Sequence, residues 1–436
     1  MRVLFISDVY FPRVNGVSTS IRTFRNDLKD AGVDSVLVAP DYGPHPAVTG
    51  GKPAAGQPAA GQPAAAQPAA GQPAAGQPAA AQPAAAQPAD KEEPGVLRVE
   101  SGRVPRDPED RRMKYFALRR CLDALSDQHF DLVHIHTPFL AHYAGVRFAA
   151  RARIPVIATY HTFFEEYLHH YVPMLPRPLG RSLARRFTRS QCAQLAAIVA
   201  PSEPMRALLL AYGVTTRIQV IPTGLPAERF QPGNGARFRA SFGIAADRPL
   251  LLYVGRVAHE KNIEFLLHAF VALRRQRAGA MLVIAGEGPA LGHLQGLVAR
   301  LGIAQDVQFI GYLDRERGLT DCYAAADVFV FASRTETQGL VLLEAMAQGR
   351  PVVSTAHLGT ASILQSGCGA RVAPEKPEVF AQAIADILDD PARAARLSAQ
   401  ARSYAQGWAS ALMARRVAEL YRELAGQPQS DAIAAA

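Results

Sequence analysis

"VFVFASRTETQGLVLLEAMAQGRPVVST", residues 328–355, reads as a strand, a polar loop, a Leu- and Ala-rich helix stopped by Gly349, and a second strand opened by Pro351. Neither strand run alternates between apolar and polar residues. Uninterrupted apolar runs mark strands covered on both faces, and a helix between two of them makes their connection parallel. The stretch is therefore a βαβ unit, with Glu336 just ahead of the helix and Glu344 inside it. Eight steps at about 1.5 Å each allow roughly 12 Å between the two carboxylates.

The same pattern extends in both directions. Upstream lie "RVLFIS" (2–7), "SVLVAP" (35–40), "LVHIHT" (132–137), "PVIATYH" (155–161) and "AIVAPS" (197–202), separated by helical patterns such as "TSIRTFRNDLKDAG" (19–32). Closer by are "LLLYVG" (250–255), "MLVIAGEG" (281–288) and "VQFIG" (307–311). Apolar strands alternating with helices predict an α/β class with two Rossmann-like parallel-sheet domains facing a cleft. The first is expected over residues 1–217 and the second over 218–404, joined through "IQVIPTGLPAERFQP" (218–232), where Pro222, Gly224 and Pro226 interrupt any element. A helical stretch at 405–425, holding the single tryptophan Trp408, is expected to pack back on the first domain, and 426–436 reads as a disordered tail.

With 436 residues, 49% of them apolar, the chain has enough material for two cores. Cys121, Cys192, Cys322 and Cys368 are scattered without metal or disulfide spacing and read as reduced cytosolic thiols. "MRVLFISDVYF" lacks the features of a signal peptide, and no run of roughly eighteen apolar residues suits a membrane span. A cytoplasmic setting is expected. Residues 1–220 carry 25 − 18 = +7 formal charges and residues 221–436 carry 22 − 20 = +2. The basic surplus of the first half suits an anionic partner: nucleic acid, acidic lipid or a phosphorylated substrate.

Between "SVLVAP" and "VLRVES" (96–101) the unit (G/A)QPAA recurs from Gly51 to Ala89, with a proline at every fifth position from Pro53 to Pro88. Such a segment forms no continuous helix and offers nothing large to bury. It reads as a disordered insert in a loop, with a partner-binding linker as the other reading.

Ligands of parallel sheets bind beyond the carboxyl ends of the strands. There, "YVGRVAHEKN" (253–262) brings Gly255, Arg256 and Lys261 to one strand end. A guanidinium fork and an ammonium suit a diphosphate, although the same residues occur as ordinary surface charges. Glu336 and Glu344 are separated by a distance comparable with that from a hexose across a diphosphate to a ribose, and main-chain amides after Thr337, through Gln338, Gly339 and Leu340, suit phosphate or sugar oxygens. A capping glutamate and a solvated helix glutamate are the plainer reading of that pair. His161 ends the strand "PVIATYH", where a lone histidine is more often structural.

Together, "NG" after the first strand, "GR....K", "GEGP", "FIGYL", "ADVFVFAS" and the E-x7-E of "ETQGLVLLE", in this order, resemble the family-4 retaining glycosyltransferases of the GT-B fold, over nearly the whole chain except the repeat and the tail. The resemblance implies that Arg256 and Lys261 bind a donor diphosphate, Glu336 the donor sugar and Glu344 the ribose. It also implies that Gly16, in "RVNGVSTS", brings its amide to the diphosphate, which a residue without a side chain permits, while Asn15 stands where many relatives have another glycine. His161 would lie beside the donor sugar and the acceptor. No separate base is evident, in keeping with a same-face mechanism in which the leaving diphosphate takes the acceptor's proton while Arg256, Lys261 and helix dipoles stabilise its charge. No Asp-x-Asp occurs, so neither a metal nor a cofactor beyond the nucleotide-sugar substrate is expected.

Two local patterns compete. Glu166-x-x-His169 has di-iron spacing but no second copy, and "VIAGEGPALG" (283–292) opens like a dinucleotide fingerprint, yet Asp306 precedes the strand it would have to end. Glu287 to Pro289 are better placed to border the nucleotide base.

For the acceptor, "YHTFFEEYLHHYVP" (160–173) and "VNGVSTSI" (14–21) resemble segments of bacterial and plant transferases that glycosylate diacylglycerol or related lipids. Next, "RPLGRSLARRFTRS" (177–190) spaces Leu179, Leu183 and Phe187 at i, i+4, i+8 among Arg177, Arg181, Arg185, Arg186 and Arg189, without an acid. Such a helix lies on an anionic bilayer with its apolar stripe inserted, or packs that stripe on the domain core. The resulting expectation is a cytoplasmic transferase, peripheral on the inner membrane face, carrying a hexose from UDP-glucose to a diacylglycerol-type lipid. GDP-mannose with phosphatidylinositol, a polyprenyl carrier or a glycan is the alternative. A non-enzymatic nucleotide-sugar or nucleic-acid binder is the reading from another class; the intact diphosphate and carboxylate set argues against the first, and without an aromatic-basic motif no nucleic-acid partner is expected.

Overall fold

The computed structural model of the chain describes residues 1–13, 15–43, 93–104, 107–161, 177–313 and 318–426, with the backbone alone for 107–110 and 177–178. The QPAA repeat, Glu166 and His169, and the tail beyond Gly426 lie outside the described residues.

The first sheet contains β1 (Arg2–Ile6), β2 (Asp34–Pro40) and β3 (Val96–Val99). Beside it, β4 (Ser101–Val104) and β5 (Asp107–Met113) form a separate antiparallel ribbon. The sheet continues with β6 (Leu132–Ile135), β7 (Val156–Thr159), β8 (Ala197–Ala200) and β9 (Ile218–Val220). Its order is β3-β2-β1-β6-β7-β8-β9, parallel throughout. The second sheet contains β10 (Leu250–Val254), β11 (Met281–Ala285), β12 (Val307–Gly311), β13 (Val328–Phe331), β14 (Val352–Ser354) and β15 (Ala370–Val372). It runs β12-β11-β10-β13-β14-β15, again parallel. Strand order reverses beside β1 in one sheet and beside β10 in the other, and crevices open at such switch points.

The apolar runs of the sequence follow from burial on both faces. Val3 and Phe5 of β1 pack with Ile21 and Phe24 of the helix Gly16–Asp30 and with Met413, Val417 and Tyr421 of the helix Ser410–Ala425. Leu4 and Ile6 pack with Leu118 and Leu122 of the helix Tyr115–Asp123 and with Val146 and Ala149 of the helix Leu140–Ala152. The C-terminal helix thus lies on the first sheet.

One boundary changes. β9 pairs with β8 through Ile198↔Ile218, so the first domain runs to Val220 and not to 217. Its three half-buried residues form an edge strand too short and too close to Pro222 and Gly224 to separate from a linker by pattern. The chain crosses between domains twice, side by side: the Leu225 amide donates to the Trp408 carbonyl at 2.7 Å, and the Ser410 amide to the Leu225 carbonyl at 2.9 Å. A Cβ on Gly224 would lie 2.4 Å from the Ser410 Cα, so only glycine lets the crossings touch. Among the described residues no helix is long and apolar enough to span a membrane.

Candidate active site

Three strand ends of the second sheet are sewn into one rim. The Gly255 amide donates to the Ala285 carbonyl at 3.0 Å, Val257 to Glu287 at 2.8 Å, and Gly286 to Gly311 at 2.8 Å. A Cβ on Gly286, at φ +136°, would stand 2.0 Å from the Gly255 oxygen, so the "GEGP" glycine is what allows this approach. The rim carries Arg256, Lys261 and Glu287. Lys261 Nζ lies 2.5 Å from Glu336 Oε1, the two side chains 17% and 23% exposed. Arg256 stands 3.9 Å from Glu260, and the Tyr253 hydroxyl donates to the Arg256 carbonyl at 3.1 Å. Burial, then the nearby Glu336 and Glu260 carboxylates, hold the Tyr253 phenol well above its ordinary range.

Glu336 precedes the helix Leu340–Ala347, which begins after Gly339 at φ +96°. Its neighbours tie the loop to the other domain. The Gln338 side chain accepts from the Thr223 amide at 2.8 Å and donates to the Thr223 carbonyl at 2.6 Å, and Ser202 Oγ donates to the Thr337 carbonyl at 2.7 Å. The sequence reading concerns the Gln338 main-chain amide. Its side chain is buried on the crossover, leaving only its main chain for a donor. Glu344 is 5% exposed, accepts from the Tyr323 hydroxyl at 2.8 Å, and lies 3.5 Å from Arg229 Nε. Neither carboxylate is the capping or solvated residue of the plainer sequence reading.

Across the cleft, Gly16 starts its helix, and Asn15 Oδ1 caps it by accepting from the Ser18 amide at 2.8 Å. Asn15 is there as a cap, and a Cβ on Gly16 would meet nothing within 4 Å. Arg13, from the same loop, lies near the Tyr312 phenol of the second domain, where its charge opposes the rise that burial imposes on that phenol.

His161 follows β7, with Nε2 3.1 Å from His136 Nδ1 and the rings stacked at 5.4 Å. His134 is held at both nitrogens, 2.6 Å from the Tyr421 hydroxyl and 2.7 Å from Thr159 Oγ1. Burial holds His134 and His136 well below 6.5 and lowers His161 to about 3, so all three rings are neutral at physiological pH. Asp8, at the end of β1, accepts from Thr137 Oγ1 at 2.7 Å and from the Ala141 amide, and burial raises it to about 6. Among the described residues no cluster of three or more His, Cys, Asp or Glu is arranged to hold a metal. His134, His136, Asp8 and Arg13 were not singled out from the sequence. The H-x-H of "LVHIHT" was the available signal, because period two places both rings on one face of an otherwise apolar strand.

Known proteins show the same organisation. A Glycosyltransferase Family 4 profile matches residues 14–229, and a Glycosyl transferases group 1 profile matches residues 235–404. An alpha-monoglucosyldiacylglycerol synthase of Streptococcus pneumoniae is 31% identical over 368 residues, 81% of this chain and 71% of that relative. The chain belongs to the family-4 glycosyltransferases. A D-inositol 3-phosphate glycosyltransferase of Nocardia farcinica is 31% identical over 67% of this chain and 66% of its own. Among solved structures, a sucrose-phosphate synthase from Thermosynechococcus elongatus aligns with TM-score 0.73 at 22% identity, over 97% of this chain and 99% of that one. WaaG, a glycosyltransferase involved in lipopolysaccharide biosynthesis, aligns with TM-score 0.67 at 16% identity, over 98% and 100%. The fold is GT-B.

In this glycosyltransferase the helix Arg177–Cys192 buries Gly180, Ala184, Thr188, Gln191 and Cys192 against the first domain. Leu179 and Leu183 are 52% and 48% exposed, beside exposed Arg181, Arg185, Arg186 and Arg189, while Phe187 is half-buried. The reading in which the leucine stripe faces the core is overturned for Leu179 and Leu183. The Arg177 side chain lies outside the described residues. Phe187, Thr188, Gln191 and Leu195 line a cavity with His136 and His161 at the ends of β6 and β7.

Proposed function

We propose that this glycosyltransferase moves glucose from UDP-glucose to a diacylglycerol-type lipid at an anionic membrane surface, with retention at the anomeric carbon. The observation that carries the lipid acceptor is the pair of exposed leucines among arginines on the helix Arg177–Cys192. Its helical layer also exposes Tyr115, Phe116, Phe139 and Tyr143 beside Arg119, Arg120 and Arg147. Aromatic rings and arginines together suit a membrane interface. The names of the relatives from Streptococcus pneumoniae and Acholeplasma laidlawii, both alpha-monoglucosyldiacylglycerol synthases, support a glucosyl group and a diacylglycerol acceptor.

In this reading the catalytic residues are His161, Arg256, Lys261 and Glu336. The donor diphosphate sits on the rim of the second sheet, held by Arg256 and Lys261 beside Gly255. The Gly16 amide approaches it from the opposite wall, and the main chain of Thr337, Gln338, Gly339 and Leu340 supplies amides. Glu336 accepts from sugar hydroxyls, Glu344 from the ribose, and Glu287 borders the base. As the bond from the anomeric carbon to the diphosphate oxygen breaks, the acceptor oxygen attacks the same face. Its proton passes to the departing phosphate oxygen. Charge grows on the diphosphate, where fixed cations stabilise the transition state more than the ground state. Lys261 is then shared between Glu336 and phosphate, and no metal is needed to supply positive charge.

The names of the D-inositol 3-phosphate glycosyltransferase relatives favour a second reading, in which the acceptor is a soluble or lipid-linked inositol, with GDP-mannose as the alternative donor. A panel of UDP-glucose, UDP-galactose and GDP-mannose against diacylglycerol in anionic liposomes, phosphatidylinositol and soluble inositol phosphate separates the two. Glucosyl lipid formed from UDP-glucose is the expected product. Transfer confined to inositol phosphate, or to GDP-mannose, overturns the proposal.

A further inference from the structure

His136 and His161 differ in surroundings although they share a hydrogen bond. His136 is 1% exposed, its Nδ1 faces His161 Nε2, and its buried Nε2 meets no hydrogen-bond partner among the described residues. Its ring is fixed by Phe5 at 4.9 Å and His134 at 4.1 Å between centroids. A neutral imidazole has one N–H and one bare nitrogen. Across the shared bond one nitrogen donates and the other accepts, so the two outer nitrogens, His136 Nε2 and His161 Nδ1, must be of opposite kind. If His161 Nε2 held the proton, His136 would bury an N–H with no acceptor. If His136 Nδ1 holds it, only a lone pair goes unmatched. The orphaned N–H is the rarer and costlier arrangement.

We infer that His136 donates from Nδ1 to His161 Nε2 and so holds His161 in the tautomer with a proton on Nδ1, making His161 a hydrogen-bond donor to a hydroxyl of the sugar or acceptor. His136 is thus a positioning residue. The inference rests on the reading, made above, that His161 lies beside the reacting groups. Burial supports it by keeping both rings neutral, since an imidazolium at either position would put protons on both of its nitrogens.

Three substitutions separate this role from simple packing. His136→Asn keeps an amide nitrogen at the position of Nδ1, His136→Gln carries its amide at the position of Nε2, and His136→Leu has neither. With donor and acceptor saturating, kcat in the Gln and Leu variants should fall at least about tenfold, with donor KM within about twofold. The Asn variant should stay within about threefold of the parent. Independently of activity, 15N spectra of histidine-labelled protein, with His161 assigned by its loss in His161→Phe, should show His161 protonated at Nδ1 in the parent and in His136→Asn. A parent His161 protonated at Nε2 overturns the proposal whatever the variants do. So does an Asn variant as impaired as Leu, or a Leu variant with full activity. If His161→Phe itself retains full turnover, the placement of His161 at the reaction has failed and the tautomer argument falls with it. If His161→Phe is impaired while His136→Leu is not, only the positioning role has failed.

Discussion

Lys261 and Glu344 both bear opposite-charge partners, yet they sit in different dielectric surroundings. The Lys261–Glu336 pair is partly buried but still reaches solvent, and a pair of that kind contributes about 1 kcal/mol to stability. Lys261→Ala should therefore leave the melting temperature nearly unchanged while lowering transfer at least about a hundredfold, as should Arg256→Ala. Near-parental turnover in either folded variant contradicts the diphosphate assignment. Glu344 shares a buried site with Arg229, and removing it strands the guanidinium. Glu344→Ala should cost about 3–5 kcal/mol in denaturant unfolding. Glu344→Gln, which still accepts from Tyr323, should cost less and report any weakening of donor binding more cleanly. The E-x7-E spacing was legible in the sequence. Its partners were not, because Lys261 lies 75 residues before Glu336 and Tyr323 lies 21 before Glu344. Only the fold brings them together.

At the scale of single elements, the helix Arg177–Cys192 shows where periodicity stops deciding. Leu179, Leu183 and Phe187 share the i, i+4 spacing, and so do Gly180, Ala184 and Thr188. Either stripe gives an amphipathic helix, and the small one faces the core. If the exposed stripe meets a membrane, each arginine should contribute about 1 kcal/mol, weakening as salt rises. Replacing Arg181, Arg185 and Arg189 with Gln should abolish sedimentation with acidic liposomes and leave donor hydrolysis in solution intact. Changing Leu179 and Leu183 to Ser should weaken sedimentation with less dependence on salt, because apolar burial is what is lost. Parent protein that ignores acidic liposomes at low salt contradicts the membrane reading. Strands β6 and β7, with the helix Leu140–Ala152 beside them, impose a pH dependence on folding. His134, His136 and His161, with His142 lowered to about 4, stay neutral when folded but bind protons below about 6.5 when unfolded. Their contribution is complete above that pH and is lost as pH falls toward the folded values. Asp8, raised to about 6 from 3.8, acts in the opposite sense, being stabilising below 3.8 and losing that contribution as pH rises through about 6. Four histidines outweigh Asp8 and Asp27, the latter also raised by burial, so denaturant unfolding should show stability falling between pH 6.5 and 4. A flat profile contradicts the burial of the rings.

Over the whole molecule, two doubly covered sheets with motifs at their strand ends were readable because burial on both faces writes itself as unbroken apolar runs. The joint between domains was not. Gln338 meets Thr223 across 115 residues, Ser202 meets Thr337 across 135, and Ser20 meets Thr223 across 203, contacts that leave no local pattern. The QPAA repeat runs between β2 and β3, neighbouring parallel strands paired through Leu37↔Val96. Deleting residues 53–88 leaves 41–52 and 89–95 for the crossover, ample for a connection of about a dozen residues. Melting temperature should shift by no more than about 2 °C, since closure cost varies slowly with loop length. A drop of several degrees would mean that the repeat packs on the domain. The proposal that both domains act together in retaining transfer to a membrane lipid is tested most directly by the anomeric configuration of the product. UDP-glucose and diacylglycerol in anionic liposomes should give glucosyldiacylglycerol whose anomeric proton shows the α configuration of the donor by NMR. A β-linked glucolipid, or glucose found only in water-soluble products, would contradict it.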